Sequence, residues 1–522
     1  MTHQKSSPAS WIALTCVAVL AGVAPLAAQS GGDGESALTW RIPTLPPPKP
    51  ISMEEYAARR RALADGMSEG VLIVFGARAP AYDYMPYQQN PNFRFLTGID
   101  EPDAALVVFK SGGRVEEWLF VQSRSPAREV WEGARLGPQG AREQTGIEAQ
   151  TNDRVLMVLD SLLNVRPVLH ALDAPPAEMA PGTDLSYDQQ VLARVVARRP
   201  QTRVQTVDST IHRLRARKSP VELDRIRRAV YISAEAHRQA MQATEPRLNE
   251  FEIRSLVEYY FLRNGGDGPA YASIVGSGPN STTLHYNADD RCMNDGEVLL
   301  FDVGAYFQGY AADVTRTIPV NGKFTPEQRS IYEIVLAAQK AAETRIRRGA
   351  RWNELTQAAN VELSNGLARL GLIDAPDAQY DCGTAAAPRK CLQYRMFYMH
   401  GLGHGVGLEV HDPDISTTAG FQPGSAVTIE PGLYVRADVF DHLPDTPDNR
   451  ALIQRRRATL TRYQNIGVRI EDVYIFDENG VERASRGAPR EIAEIESLMR
   501  ESTPAAAGRR ADVVGWRCPV RS

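Results

Sequence analysis

Two aspartates are the first residues in this chain whose setting implies chemistry. Asp302 and Asp313 each lie in an apolar, strand-like run, LLFDV and YAADVTRTI, joined by a turn around Phe307-Gln308-Gly309. If the turn is centred between Phe307 and Gln308, residues whose numbers sum to about 615 face each other. Asp302 and Asp313 meet that sum, so their carboxylates are expected opposite one another, roughly 5 Å apart. Carboxylates that close repel, and one stays protonated unless a cation joins them. The hairpin alone leaves two readings open, a metal site or an edge hairpin with solvated aspartates.

Later segments add donors. FYMHGLGHGVGLEVHD places His400, His404 and His411 within one short stretch, from a chain with nine histidines. His400 and His404 have helical spacing, but Gly401, Gly403, Gly405 and Gly407 disfavour a helix and permit close backbone approach to a ligand. In AVTIEPGLYV, Glu430 ends an apolar strand before a Pro-Gly turn, and an acid there needs a partner or a cation. In IGVRIEDVYIF, alternation sends Arg469 and Glu471 to one face, Ile470 and Asp472 to the other. A cross-strand salt bridge would explain Arg469 with one glutamate and leave the other acids unpaired. Asp302, Asp313, His404, Glu430 and Glu471 together offer four carboxylates and one imidazole. That set suits two hard or borderline divalent ions, such as manganese, better than thiolate-bound zinc. Paired ions would activate a bridging water and clamp a developing oxyanion.

The rest of the chain must hold these residues. Its 522 residues exceed one ordinary core and imply two domains plus extensions. A net charge of −4 gives no footprint for nucleic acid. Residues 1–28 read as a secretory signal, with Lys5, an apolar run from Trp11 to Leu26, and Ala27-Ala28 before a cleavage point. Export is therefore expected, periplasmic or secreted, with no stable membrane span after cleavage. Residues 29–50 read as a Pro- and Gly-rich tether with no core. Helices alternating with strands make residues 51–215 an α/β domain, in which 82–103 reads as a long surface loop reaching a site or a neighbouring subunit. Ser219, Pro220 and Glu222 form a helix start and open the second domain, 219–502. Residues 503–522 read as a flexible tail. Cys382 and Cys391 bracket a loop and could close it, while Cys292 and Cys518 have no assigned partner. The arginine run 455–457 reads as a solvated face.

The spacing Asp-x10-Asp, with HGLGHGVGLEVHD, TIEPGLY and GVRIED in that order, resembles the pita-bread metallopeptidases. Within them the chain is most similar to the aminopeptidase P (Xaa-Pro aminopeptidase) family. The resemblance spans roughly residues 52 to 500, and YQQNPNFRFLTGIDEPDA and EVWEGARLG resemble that family's N-terminal domain. It implies an α/β N-terminal domain followed by an α+β pita-bread catalytic domain. It also implies two divalent ions, most often Mn2+ with Co2+ or Zn2+ able to serve, and hydrolysis of an amino-terminal Xaa–Pro bond. By resemblance, Asp302 binds one ion, Asp313 and Glu471 bridge both, and His404 and Glu430 complete the second. Glu430 also handles the proton of the bridging water. His285, in LHYN, matches a histidine near the scissile bond. His400 and His411 match two that hold substrate and stabilise the tetrahedral intermediate, and Arg469 matches an arginine beside the last ligand. A homo-oligomer is implied as an option. The same fold also serves prolidases, restricted to dipeptides, and non-catalytic modules that have lost their metals. The stretch 435–466, between two of the ligand positions, is longer than the family pattern.

Overall fold

The computed structural model describes residues 37–501 except 83–84, 173–183, 385 and 415–419, together with residues 514 and 518. Residues 1–28, the expected secretory signal, lie outside the described residues. So do part of the tether and most of the tail.

The N-terminal half is built on a six-stranded mixed sheet. Its strands are β1 (Gly70–Phe75), β2 (Ala105–Ser111), β3 (Arg114–Val121), β4 (Glu148–Thr151), β5 (Val168–Ala171) and β6 (Arg203–Thr206), in the order β4-β3-β2-β1-β5-β6. Side-chain alternation divides β1 between two cores. Val71 and Ile73 pack with Leu159, Leu163 and Leu192 on one face. Leu72 and Val74 pack on the other with Phe93 and Phe95, in a cluster that runs on into Ile226, Val230, Val314 and Val473. The two halves therefore share one continuous apolar core, not a hinge.

The tether and the loop both differ from expectation for the same reason. Trp40 is only 3% exposed. It lies against Gly487, where a Cβ would come within 2.4 Å of its indole ring, and packs edge-on to Tyr231. Arg238 donates to the carbonyls of Ala37 and Leu38. One aromatic residue thus turns a proline-rich segment into a docked arm. Within 82–103, Asn90 caps a helix, Pro91–Thr97, by accepting from the amides of Asn92 and Phe93. Phe93, Phe95 and Leu96 of that helix are buried at the junction of the two halves.

The second half opens on the helix Pro220–Ala243, with Ser219 and Glu222 forming the expected capping box. Its central strands come from separate parts of the chain. Ile274–Ser277, Val298–Asp302 and Thr315–Pro319 form one sheet. Ala426–Ile429 pairs with Asp472–Asp477, and Gly432–Val435 pairs with Ile466–Arg469. Helices Pro326–Glu343 and Trp352–Leu370 cover them.

The aspartate hairpin is shifted in register. The turn is Gln308-Gly309, both at positive φ (49° and 76°), and Phe307 pairs with Tyr310. That moves the turn centre one residue along, so Asp302 faces Thr315 and not Asp313. Moving the centre by one residue changes each partner by two, which preserves the face. Asp302 and Asp313 are diagonal neighbours on one side. Gly304, between them, lets the Ala312 carbonyl come where a Cβ would sit at 1.9 Å.

Disulfides and ion pairs fasten the outer segments of the second half. Cys382–Cys391 is a disulfide, and Cys292 pairs with Cys518, so the tail is tied down near its end. The arginine run 455–457 is the expected solvated face, with Arg455 and Arg457 exposed, and on it Arg455 and Arg456 bind Asp374. The 435–466 stretch holds a helix, Pro447–Tyr463, whose Asn449 bonds the disulfide hairpin at Asp381. Among the described residues no helix is long and apolar enough to cross a membrane.

Candidate active site

Five chain segments converge on one acidic cluster. Asp302, Asp313 and Glu471 can each present a ligand atom within 4.8 Å of the others. The same holds for His404, Glu430 and Glu471, and for Asp313, His404 and His411. His404 Nε2 lies 3.4 Å from Asp313 Oδ2, 3.5 Å from Glu430 Oε1 and 4.0 Å from Glu471 Oε1. Its Nδ1 is 3.0 Å from the Gly405 carbonyl, a contact that assigns the proton to Nδ1 and turns the Nε2 lone pair to the carboxylates. The glycines around it do what their backbone contacts require. A Cβ on Gly403 would meet the Thr428 carbonyl at 2.2 Å, and one on Gly405 the Asp412 carbonyl at 2.3 Å.

Electrostatics divides the carboxylates. Burial, then Asp302, drives Asp313 well above its ordinary value. Burial, then Asp313, does the same to Glu471. Burial, then Glu471, pushes Glu430 up to about 8. For Asp302 burial is the largest influence and acts upward, but the Arg469 guanidinium and hydrogen bonds from Tyr271, Asp313 and Arg469 together outweigh it and the carboxyl is held low. Arg469 Nη2 donates to Asp302 Oδ2 at 2.5 Å. Its other nitrogens donate to the Tyr434 hydroxyl at 2.8 Å and the Thr315 hydroxyl at 3.2 Å. One arginine thus partners one carboxylate of four. Glu471 Oε1 is buried without a hydrogen-bond partner, and such an atom calls for a cation. An oxygen-rich, thiolate-free set with one such unmet acceptor fits hard divalent ions.

The remaining predicted residues line the same place in different ways. His400 Nε2 is 2.8 Å from the Tyr434 hydroxyl and its Nδ1 is 2.7 Å from the Gly401 carbonyl. Burial, then Arg469, lowers its pKa to about 4, which keeps the imidazole neutral. His411 packs against His404 with the rings tilted by 59° and their centroids 4.2 Å apart. Burial, then His404 and His285, lowers its pKa. His285 is exposed, on a loop close enough to act on His411. Sequence reasoning missed Tyr271, Thr315 and Tyr434. The Tyr271 hydroxyl is 2.5 Å from Asp302 Oδ1 and 2.6 Å from Asp313 Oδ1. The Thr315 hydroxyl donates to Glu471 Oε2 at 2.7 Å. Thr315 and Tyr434 stand inside the quoted motifs, so they were within reach. Nothing in the sequence around Tyr271 points to its role.

The comparisons with known proteins agree with this geometry. The model for metallopeptidase family M24 matches residues 224–478, and the model for the aminopeptidase P N-terminal domain matches residues 56–170. The chain is 33% identical to an Escherichia coli Xaa-Pro aminopeptidase over 464 residues, covering 86% of this chain and 98% of that protein. A Haemophilus influenzae Xaa-Pro aminopeptidase is 35% identical over 458 residues, with the same coverage. Among solved structures, proline aminopeptidase P II from Yersinia pestis superposes with a TM-score of 0.71 at 32% identity, over 86% of this chain and 100% of that one. E. coli aminopeptidase P with the inhibitor Pro-Leu gives 0.70 at 32% identity, over 88% and 100%. The fold is therefore an aminopeptidase P N-terminal domain followed by a pita-bread catalytic domain, and the chain belongs to metallopeptidase family M24, as a metallo-aminopeptidase of the aminopeptidase P type.

Proposed function

We propose that this protein is an exported, dinuclear-metal Xaa-Pro aminopeptidase. The observation that carries the reading is the convergence of Asp302, Asp313, His404, Glu430 and Glu471, four carboxylates with a single arginine partner, Arg469 on Asp302, and a buried Glu471 oxygen without a hydrogen bond. Asp313 and Glu471 would be shared between the ions, Asp302 would hold one, and His404 and Glu430 would hold the other. Such ions, when bound, supply Lewis acidity and a water nucleophile of lowered pKa. Manganese is favoured by the oxygen-rich donor set, and cobalt or zinc can replace it.

The chain's own groups account for the rest. Glu430 stands within the cluster, 3.5 Å from His404 Nε2, where its carboxylate can take a proton from a bound water. His400 stays neutral and hydrogen-bonded to Tyr434, so it offers an oriented polar edge without a charge. His411 and His285 stand at the exposed edge of the cluster and can donate to a developing oxyanion. Arg469 holds Asp302 and Tyr434 in place. The proline nitrogen at the scissile bond carries no hydrogen, so recognition there rests on shape.

Incubation of Mn2+-loaded protein with a Xaa–Pro dipeptide, a Xaa–Pro-extended tripeptide and a Xaa–Ala tripeptide tests the activity. Release of the first residue from the extended Xaa–Pro peptide, with the Xaa–Ala peptide intact, is expected. Cleavage of the dipeptide alone would make it a prolidase. Export is supported by the amino-terminal apolar run and by two disulfides, which suit an oxidising compartment. Amino-terminal sequencing of the mature protein, expected to begin near Gln29, checks it.

A further inference from the structure

We infer that Arg316 is the positioning residue for Glu471, setting where the two halves of the acidic cluster cross. The inference rests on the two-ion reading above. Asp313 and Thr315 belong to one chain segment and Glu471 to another, and the strands that continue these segments lie in different sheets. At the crossing, the Glu471 amide donates to the Thr315 carbonyl at 3.1 Å. Arg316 Nη1 donates to that same carbonyl at 2.8 Å and to the Glu471 carbonyl at 2.6 Å. A single guanidinium nitrogen therefore grips both backbones at the point where their side chains meet, Thr315 Oγ1 to Glu471 Oε2.

The guanidinium is itself fixed from behind. Nε donates to the Pro489 carbonyl at 3.0 Å, and Nη2 to the Ala488 carbonyl at 2.8 Å and Asp472 Oδ1 at 2.6 Å. Asp472 also accepts from Ser485 at 2.5 Å, Gln339 at 2.9 Å and Arg490 at 2.8 Å. Arg316 and Asp472 are both fully buried. Because successive strand residues face opposite ways, Glu471 enters the cluster while Asp472 enters the anchor. Arg316 touches the Glu471 carbonyl and not its carboxylate. Its charge is met by Asp472, and that of Arg490 by Glu343 and Asp472. Arg316 thus pairs with none of the cluster carboxylates, and its role is geometric. Lysine, with three donors on one atom, cannot span both carbonyls and Asp472.

The test is Mn2+ titration, by calorimetry and by the electron paramagnetic resonance signal of free Mn2+, of chelator-stripped wild-type protein, Arg316→Lys and Asp472→Asn. Arg316→Lys should bind Mn2+ roughly 10- to 100-fold more weakly, the range seen when the support of a metal ligand is removed. Asp472→Asn, which keeps an acceptor for Nη2 but loses the charge, should weaken binding in the same direction by less. Circular dichroism identifies folded variants, and Asp472→Asn carries the test if Arg316→Lys does not fold. Unchanged Mn2+ affinity in a folded variant overturns the inference. Absence of Mn2+ binding by the wild type would instead overturn the two-ion reading on which it rests.

Discussion

Stripping divalent ions with a chelator should make stability fall as pH rises from about 5 to about 8, and adding Mn2+ should remove most of that slope. The sign follows from Glu430. Its folded pKa is raised to about 8 from an ordinary value of 4.5, by burial and then by Glu471. Between those values the folded protein keeps a proton that the unfolded chain releases, so stability is fully present below 4.5 and is lost toward 8. Asp313 and Glu471 are raised as well and act in the same sense. Asp302 is lowered and acts oppositely, below its ordinary value. For Glu430 alone the full difference corresponds to about 5 kcal/mol, an upper bound because its proton is shared electrostatically with Glu471. A divalent ion at a hundred times its dissociation constant returns about 2.7 kcal/mol per site. With an unfolding entropy of roughly 2 cal/mol/K per residue, a chain of 522 residues shifts its midpoint by about 1 °C per kcal/mol. Differential scanning calorimetry from pH 4.5 to 8.5, with EDTA and then with Mn2+, should show curves several degrees apart at pH 8 that converge near pH 5. A flat or rising EDTA curve, or the same slope in Glu430→Gln, would refute the reasoning.

Trp40→Ala should destabilise the protein by about 3–5 kcal/mol, the range for an aromatic removed from a core, and expose the arm to protease, while kcat stays unchanged. Calorimetry with limited proteolysis measures both. Asp412→Ala should cost about 3–5 kcal/mol, because it strips a buried carboxylate from Lys218 and Arg215. Its effect on activity should appear well below the unfolding temperature, since Asp412 adjoins His411, and kcat measured against the thermal midpoint separates the two. Reducing Cys292–Cys518, which are 226 residues apart, should lower stability by about 2–5 kcal/mol on the loop-closure argument. A thermal scan with and without reductant, compared with Cys518→Ser, reads the loss.

The motifs were legible because metal chemistry narrows residue choice. Acids in apolar strands, a histidine among glycines and a glutamate before Pro-Gly are costly arrangements without a ligand, so each carried information in one dimension. The helix start at Ser219 was legible for a similar reason, since capping is local. The hairpin register was not, because moving the turn by one residue leaves the apolar pattern unchanged. Trp40 was misplaced with its proline-rich neighbours, since composition averages over the one side chain that docks. Helix Pro91–Thr97 was hidden because seven residues between prolines and asparagines give too short a period to recognise.

What the sequence alone determined is the inventory of the site. Asp302, Asp313, His404, Glu430 and Glu471 are set by type and order, and with them the ligand chemistry. The tertiary structure decided how each is used. It brought Arg469 to Asp302 and left the other acids crowded. It put Tyr271 between the two aspartates and ran the Arg316 clamp behind Glu471. The physical reason is distance along the chain. A residue's own type and its near neighbours fix its donor atoms and strand face. Its pKa and its partner depend on groups up to some 170 positions away, which only packing brings within 3 Å.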